Sequence, residues 1–95
     1  MGAEMFPVAV FDSQWRVLER LWAAPISLRG MLRLKGTDRA AFWLLVEQGH
    51  LSIAAGGDDM VVNESGQKLL RGCWVINPTG AREWRQLSPL DFADR

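Results

Sequence analysis

Three helix-breaking residues, Pro25, Gly36 and Gly49, cut residues 12–49 into segments of roughly a dozen residues. That punctuation constrains the fold more than any other feature. Proline drives the residue before it out of the helical region, and glycine readily adopts the left-handed conformation that ends a helix. The chain up to Gly49 therefore reads as a series of short rods with sharp changes of direction.

Within "DSQWRVLERLWAAP", Trp15, Leu18, Leu21 and Trp22 recur at helical spacing, with Arg16, Glu19 and Arg20 on other faces. Asp12 or Ser13 is the expected N-cap and Pro25 the stop. "SLRGMLRLKG" predicts a second, shorter helix capped by Ser27 and stopped by Gly36, with Leu28, Met31, Leu32 and Leu34 as its buried stripe. Gly30 weakens that helix by about 1 kcal/mol relative to alanine unless close packing requires it. "TDRAAFWLLVEQG" is the strongest helical pattern, with Thr37 or Asp38 as cap and Gly49 as stop. Ala41, Leu44 and Leu45 face the core with Phe42 and Val46, which leaves Arg39, Trp43, Glu47 and Gln48 for other faces.

From His50 the period changes from helix to strand. Leu51 and Ile53 alternate with small or polar residues, and Gly56-Gly57-Asp58-Asp59 is turn chemistry, so "HLSIAAGGDDMVV" predicts a hairpin. "VVNESGQKLL" and "VINPTGAREW" then echo one another fourteen residues apart. Each reads as a strand running into a helix capped by asparagine, Asn63 or Asn77, and Pro78 suits a first helical turn. Two such units are too few for a repeat array. The opening "MGAEMFPVAV" is either an edge strand or an arm, and the tail is irregular, with Leu90 and Phe92 tucked onto the body.

The whole chain, residues 1–95, fits one domain, with a core at about 13–71 and a C-terminal extension at 73–95. At 48% hydrophobic residues it can bury a small core. Most of its five tryptophans are expected in that core or at its edge. The lone Cys73 excludes an internal disulfide, fits a reducing compartment and reads as a small buried hydrophobe. One cysteine and one distant histidine, His50, give no zinc set and no Cys–His pair. No apolar run spans a bilayer and no basic region opens a signal peptide, so a cytoplasmic protein without a membrane role is expected. Glycine-rich phosphate loops, catalytic triads and clustered carboxylates are missing. The sequence thus points to no enzyme activity, no cofactor and no metal.

Net charge is zero but unevenly spread. Residues 26–40 carry Arg29, Arg33, Lys35 and Arg39 against Asp38 alone. Residues 41–66 carry Glu47, Asp58, Asp59 and Glu64 with no cation. Residues 67–88 turn basic again through Lys68, Arg71, Arg82 and Arg85 against Glu83.

The order helix, short helix, glycine turn, longer helix, hairpin, helix resembles the winged helix-turn-helix superfamily over about residues 13–71. "LLVEQGHLSI" is similar to the end of a recognition helix running into the first wing strand. "MVVNESGQKLL" is similar to the second wing strand entering the next helix, where members often read aliphatic-x-Thr-x-x-Gly-x-x-x-Leu; Asn63 stands here in place of threonine. The resemblance implies an α+β fold: a three-helix core, a β-hairpin wing and an added C-terminal strand or helix. It implies a small DNA-binding transcriptional regulator that places helix 37–49 in the major groove of double-stranded DNA. Thr37, Asp38, Arg39 and an exposed Trp43 would lie nearest the bases, and Arg29, Arg33 and Lys35 would hold phosphates.

Each of these residues has a plainer alternative. Arg29, Arg33 and Lys35 equally describe a solvated face, and Trp43 either fills the core or contacts a partner. Asp58 and Asp59 at the hairpin tip fit poorly against phosphate. Either the wing points away from DNA, or it binds protein, or the pair holds a divalent cation, while turn chemistry alone also explains it. A homodimer is expected with DNA, and segment 73–92, with Trp74, Trp84, Leu87 and Leu90, is either its dimer element or a packing element. The alternative function is a winged-helix protein-interaction module without DNA binding, using the wing or an exposed tryptophan.

Overall fold

The structure, a computed structural model, describes residues 9–88, the Leu28 side chain apart. The expected N-terminal arm before Ala9, and the packing of Leu90 and Phe92, lie outside the described residues. The order is β1 (Ala9–Phe11), α1 (Asp12–Ala23), β2 (Ile26–Ser27), α2 (Leu28–Met31), α3 (Gly36–Glu47), β3 (Leu51–Ile53), β4 (Asp59–Val62), α4 (Glu64–Arg71), β5 (Cys73–Ile76) and β6 (Arg82–Arg85). The fold is mixed α+β: helices and two small sheets, ordered β1-β5-β6 and β2-β4-β3.

Helix α1 forms because its apolar residues recur on a broad face, and it buries Gln14, Trp15, Val17, Leu18 and Leu21. Its N-cap is Phe11, not Asp12 or Ser13. Gln14 performs the capping from inside the first turn, its Oε1 accepting the Phe11 N–H at 2.9 Å. Asp12 is thereby released to pair with Arg16 at 3.2 Å and Arg85 at 2.7 Å.

Ser27 caps α2 as expected, accepting the Gly30 N–H at 2.9 Å. Gly30 is there for space, since a Cβ would lie 2.9 Å from Ile26 Cγ1. The helix ends at Met31, short of Gly36, and continues as a tight turn through Arg33 N–H to Gly30 O (3.0 Å) and Leu34 N–H to Met31 O (3.1 Å). Leu32 consequently faces solvent, 64% exposed, while Leu34 is buried. Gly36, at φ +57°, opens α3 instead of closing α2, and Lys35 is the N-cap in place of Thr37 or Asp38.

The β3–β4 hairpin pairs Leu51 with Val62 and Ile53 with Met60. Strand β2, a two-residue element with no clear sequence signal, adds to β4 through Ile26–Met60 and Ser27–Asp59. At the exit of β4, Asn63 Oδ1 accepts the Gly66 N–H at 3.0 Å. Its Nδ2 donates to Gly49 O and to Ser52 Oγ, both at 2.8 Å. A threonine could supply the cap but has one donor where the Asn63 amide uses two, which gives Asn63 a physical reason here.

The second asparagine behaves differently. No helix follows Asn77. Its Oδ1 instead collects Thr79 N–H (3.0 Å), Thr79 Oγ1–H (2.6 Å) and Ala81 N–H (3.0 Å), closing a turn around Gly80 at φ +90°. The chain returns as β6, antiparallel to β5, while β1 runs parallel to β5 on its other edge. Trp74 and Trp84 meet edge to face at 5.6 Å. The C-terminal segment is thus a hairpin completing a sheet, and its expected helix is corrected to a strand.

One hydrophobic cluster joins the layers, with Leu18, Phe42, Leu45, Leu70 and Val75 fully enclosed. Trp15 belongs to it; Trp22 and Trp74 are half-buried, and Trp43 and Trp84 are exposed. Gly66 sets the distance between α4 and the hairpin. A Cβ there would stand 2.5 Å from His50 O and 2.6 Å from Val62 Cγ1. Helix propensity alone would make Gly66→Ala stabilising by about 1 kcal/mol. Overpacking is expected to win, lowering the unfolding free energy in urea by about 1–3 kcal/mol. A more stable variant would contradict this packing.

Candidate nucleic-acid interface

Helix α3 buries Ala41, Phe42 and Leu45 on one side. The opposite side is exposed and carries Arg39, Trp43 and Glu47 four residues apart, which aligns them along one ridge. Trp43 is 45% exposed and leans edge-on against Phe42 at 5.4 Å, so its outer face is open. The question left by the sequence, core or contact surface, resolves to an exposed residue.

The turn before α3 is organised by Leu34. Because Leu34 is buried, its neighbours Arg33 and Lys35 are turned out to solvent on either side. Arg29 is exposed on α2 and Thr37 on the first turn of α3. Among the described residues, Arg29, Arg33, Lys35 and Arg39 form no ion pair, unlike Arg16 and Arg85. Within residues 26–40 Asp38 is the opposing carboxylate, so the stretch keeps a net positive charge.

The start of α3 lies between two surface clefts. Asp38, half-buried, lines one of about 400 Å³ together with Arg20, Arg33 and Lys35. Thr37 lines another of about 400 Å³ with Arg16 of α1 and Asn77, Pro78 and Gly80 of the β5–β6 turn. Arg33 and Lys35 are thus brought together, as are Arg39 and Trp43, while Thr37 faces a separate cleft. Arg20 was not foreseen. It sits on the polar side of an amphipathic helix, and only the tertiary fold sets it beside residues 33–35.

A third hollow, about 330 Å³, is apolar and lies between α3 and the β3–β4 hairpin. Trp43, Val46, Ile53 and Met60 line it, with Met31 reaching in from α2. Ile53 is 58% exposed, although it alternates in step with the buried Leu51.

Asp58 and Asp59 are exposed at the hairpin tip. The backbone there closes through Ala54 N–H to Asp59 O (2.8 Å) and Gly57 N–H to Ala54 O (3.2 Å). Among the described residues no three histidine, cysteine or acidic side chains gather in a way that could hold a metal ion. Nor is any helix there long and apolar enough to cross a membrane. Cys73 is buried, which pushes its thiol up to about 11.

Comparison of the chain with models of known protein families, with curated proteins and with solved structures finds no match.

His50 links the chain just after α3 to the start of α4. Its Nδ1 lies 2.8 Å from Ser65 Oγ, and its carbonyl accepts the Asn63 N–H at 3.2 Å. Burial lowers its pKa, because the charged imidazolium is poorly solvated there. The unfolded chain then binds the proton more tightly than the folded one. Stability from this residue is present above the unfolded value of 6.5 and is lost as pH falls through the lower folded value. Urea midpoints measured at stepped pH should decline below about pH 6.5, and His50→Gln should remove the part due to this group. An unchanged decline in the variant would rule out His50 as its source.

Proposed function

We propose that this chain is a winged-helix module that binds double-stranded DNA as a transcriptional regulator, with α3 as the recognition helix and β3–β4 as the wing. The succession α1, β2, α2, α3, β3, β4 and the short sheet β2-β4-β3 support the winged-helix reading. The observation that carries the functional reading is the set of four exposed, unpaired cations at α2, the turn and the start of α3.

A twelve-residue helix is about 18 Å long and enters a major groove about 12 Å wide. Arg39, near the N-terminal end of α3, faces base edges, and a guanine offers it two acceptors. Ala40 and Trp43 beside it offer apolar surface to thymine methyl groups. Arg29, Arg33 and Lys35 take phosphates, which fix register without reading sequence. Entry by the N-terminal end keeps Glu47 and the Asp58–Asp59 tip off the backbone, so the wing is directed away from phosphate.

A second copy would extend the contact over two half-sites. Side chains alternate across a strand, so Phe11, Ile76 and Trp84 share the outward face of β1-β5-β6, where such a copy could pair. One observation favours the alternative of a protein partner: the apolar hollow beside Trp43 and Ile53 suits an aliphatic side chain better than a phosphate.

Fluorescence anisotropy with a labelled duplex at two salt concentrations tests the DNA reading. Binding should weaken steeply with salt, with a logarithmic slope of about −0.9 per phosphate contact. Arg33→Ala should reduce that slope by about one and weaken all duplexes alike, whereas Arg39→Ala should cost about 1–3 kcal/mol of discrimination between sequences. If no duplex binds at low salt, or if both variants bind as the parent does, the DNA surface is refuted and the protein-partner reading stands in its place.

A further inference from the structure

We propose that the cleft between the C-terminal end of α1 and the α2–α3 turn is a phosphate site in which Arg20 is a ligand-binding residue. Three cations from two separate parts of the chain converge on it: Arg20 from the last turn of α1, and Arg33 and Lys35 from either side of the buried Leu34. All three are exposed, and among the described residues none forms an ion pair. Asp38 is the opposing carboxylate on the wall, and it makes no salt bridge to any of the three within the described residues. The cleft therefore keeps a net charge of about +2 by simple count, concentrated over an apolar floor that includes Ile26 and Leu34.

Like charges so placed repel one another, and a multiply charged anion is the ligand that relieves this. Arginine offers two parallel N–H donors to phosphate oxygens, and lysine adds a compact charge. At about 400 Å³ the cleft is at the small-ligand scale, large enough for a phosphate together with the sugar or other body that bears it. Carboxylate ligands of one charge would leave the cleft under-neutralised. The phosphate can come from a DNA backbone or from a free phosphate ester, and the chemistry of recognition is the same. The inference rests on the DNA reading only for the first of these sources.

The test uses the full chain with Arg20→Gln, and Arg16→Gln as a control one turn earlier on the same helix. Amide chemical shifts are followed by NMR at pH 7 and low ionic strength during titration with inorganic phosphate and pyrophosphate, with chloride as reference. Saturable shifts at Arg33, Lys35 and Asp38 are expected, with pyrophosphate the tighter ligand and Arg20→Gln weakening it at least fivefold while Arg16→Gln does not. In parallel, the salt slope for a duplex is measured for both variants.

A slope reduced by about one in Arg20→Gln alone assigns the phosphate to DNA. An unchanged slope, or no duplex binding at all, together with the Arg20-dependent pyrophosphate shifts, assigns the site to a free phosphate ester and leaves it standing whatever becomes of the DNA reading. Shifts no larger than those with chloride, or equal in parent and Arg20→Gln, overturn the proposal. Unaltered shifts outside the cleft in Arg20→Gln establish that the variant is folded.

Discussion

Burial of α1 on more than one side is the constraint on which the rest of this structure depends. Trp15, Val17, Leu18 and Leu21 are each almost fully enclosed, and the helix that carries them lies against α3, β4, α4, β1 and β5. Enclosing a single side chain of this kind contributes about 1.5–3 kcal/mol. Gln14, the buried polar residue of α1, adds direction to that burial. Its Oε1 holds the Phe11 N–H and its Nε2 donates to Gln48 Oε1 at 2.9 Å, so the start of α1 is tied to the end of α3. An apolar residue at position 14 would fill the space but tie neither group.

With α1 fixed in this manner, the face of α3 turned away from it is left uncovered. Its surroundings then separate by charge. Cations lie on α2, the turn and the first part of α3, with Asp38 among them, and the other carboxylates lie at the end of α3 and at the hairpin tip. The neutral total conceals this polarity, which the order of charges along the chain already carries. The acidic tip that made the sequence ambiguous is therefore compatible with an anionic ligand held at the other end of the same surface.

Much of the α+β order was legible because it rests on local chemistry. Pro25, Gly49 and the Gly56–Asp59 turn set the segment ends, and Ser27 and Asn63 capped helices where caps were expected. What was not legible depends on distant partners. Asp12 looked like an N-cap but is held by Arg85, seventy-three positions away. Asn77 repeats the wording of Asn63, yet Gly80 turns the chain back, and β5 offers a strand partner that a helix could not use. Strand β2 exists only because Met60 and Asp59 lie opposite it. The candidate surface divides in the same way. Arg29, Arg33, Lys35 and Arg39 could be named from their density, and Trp43 from its position between buried neighbours. Arg20 and the apolar hollow arise from segments that only folding brings together.

The central claim, that the turn and the outer face of α3 form the DNA-contacting surface while the acidic hairpin tip stays clear, is tested most directly by hydrogen exchange. Exchange read by mass spectrometry, with and without a mixed-sequence duplex at low salt, resolves the two regions. Added protection is expected across residues 29–43, with none at the Ala54–Asp59 turn. Protection confined to the hairpin, or an exchange pattern that the duplex leaves untouched, would contradict the account.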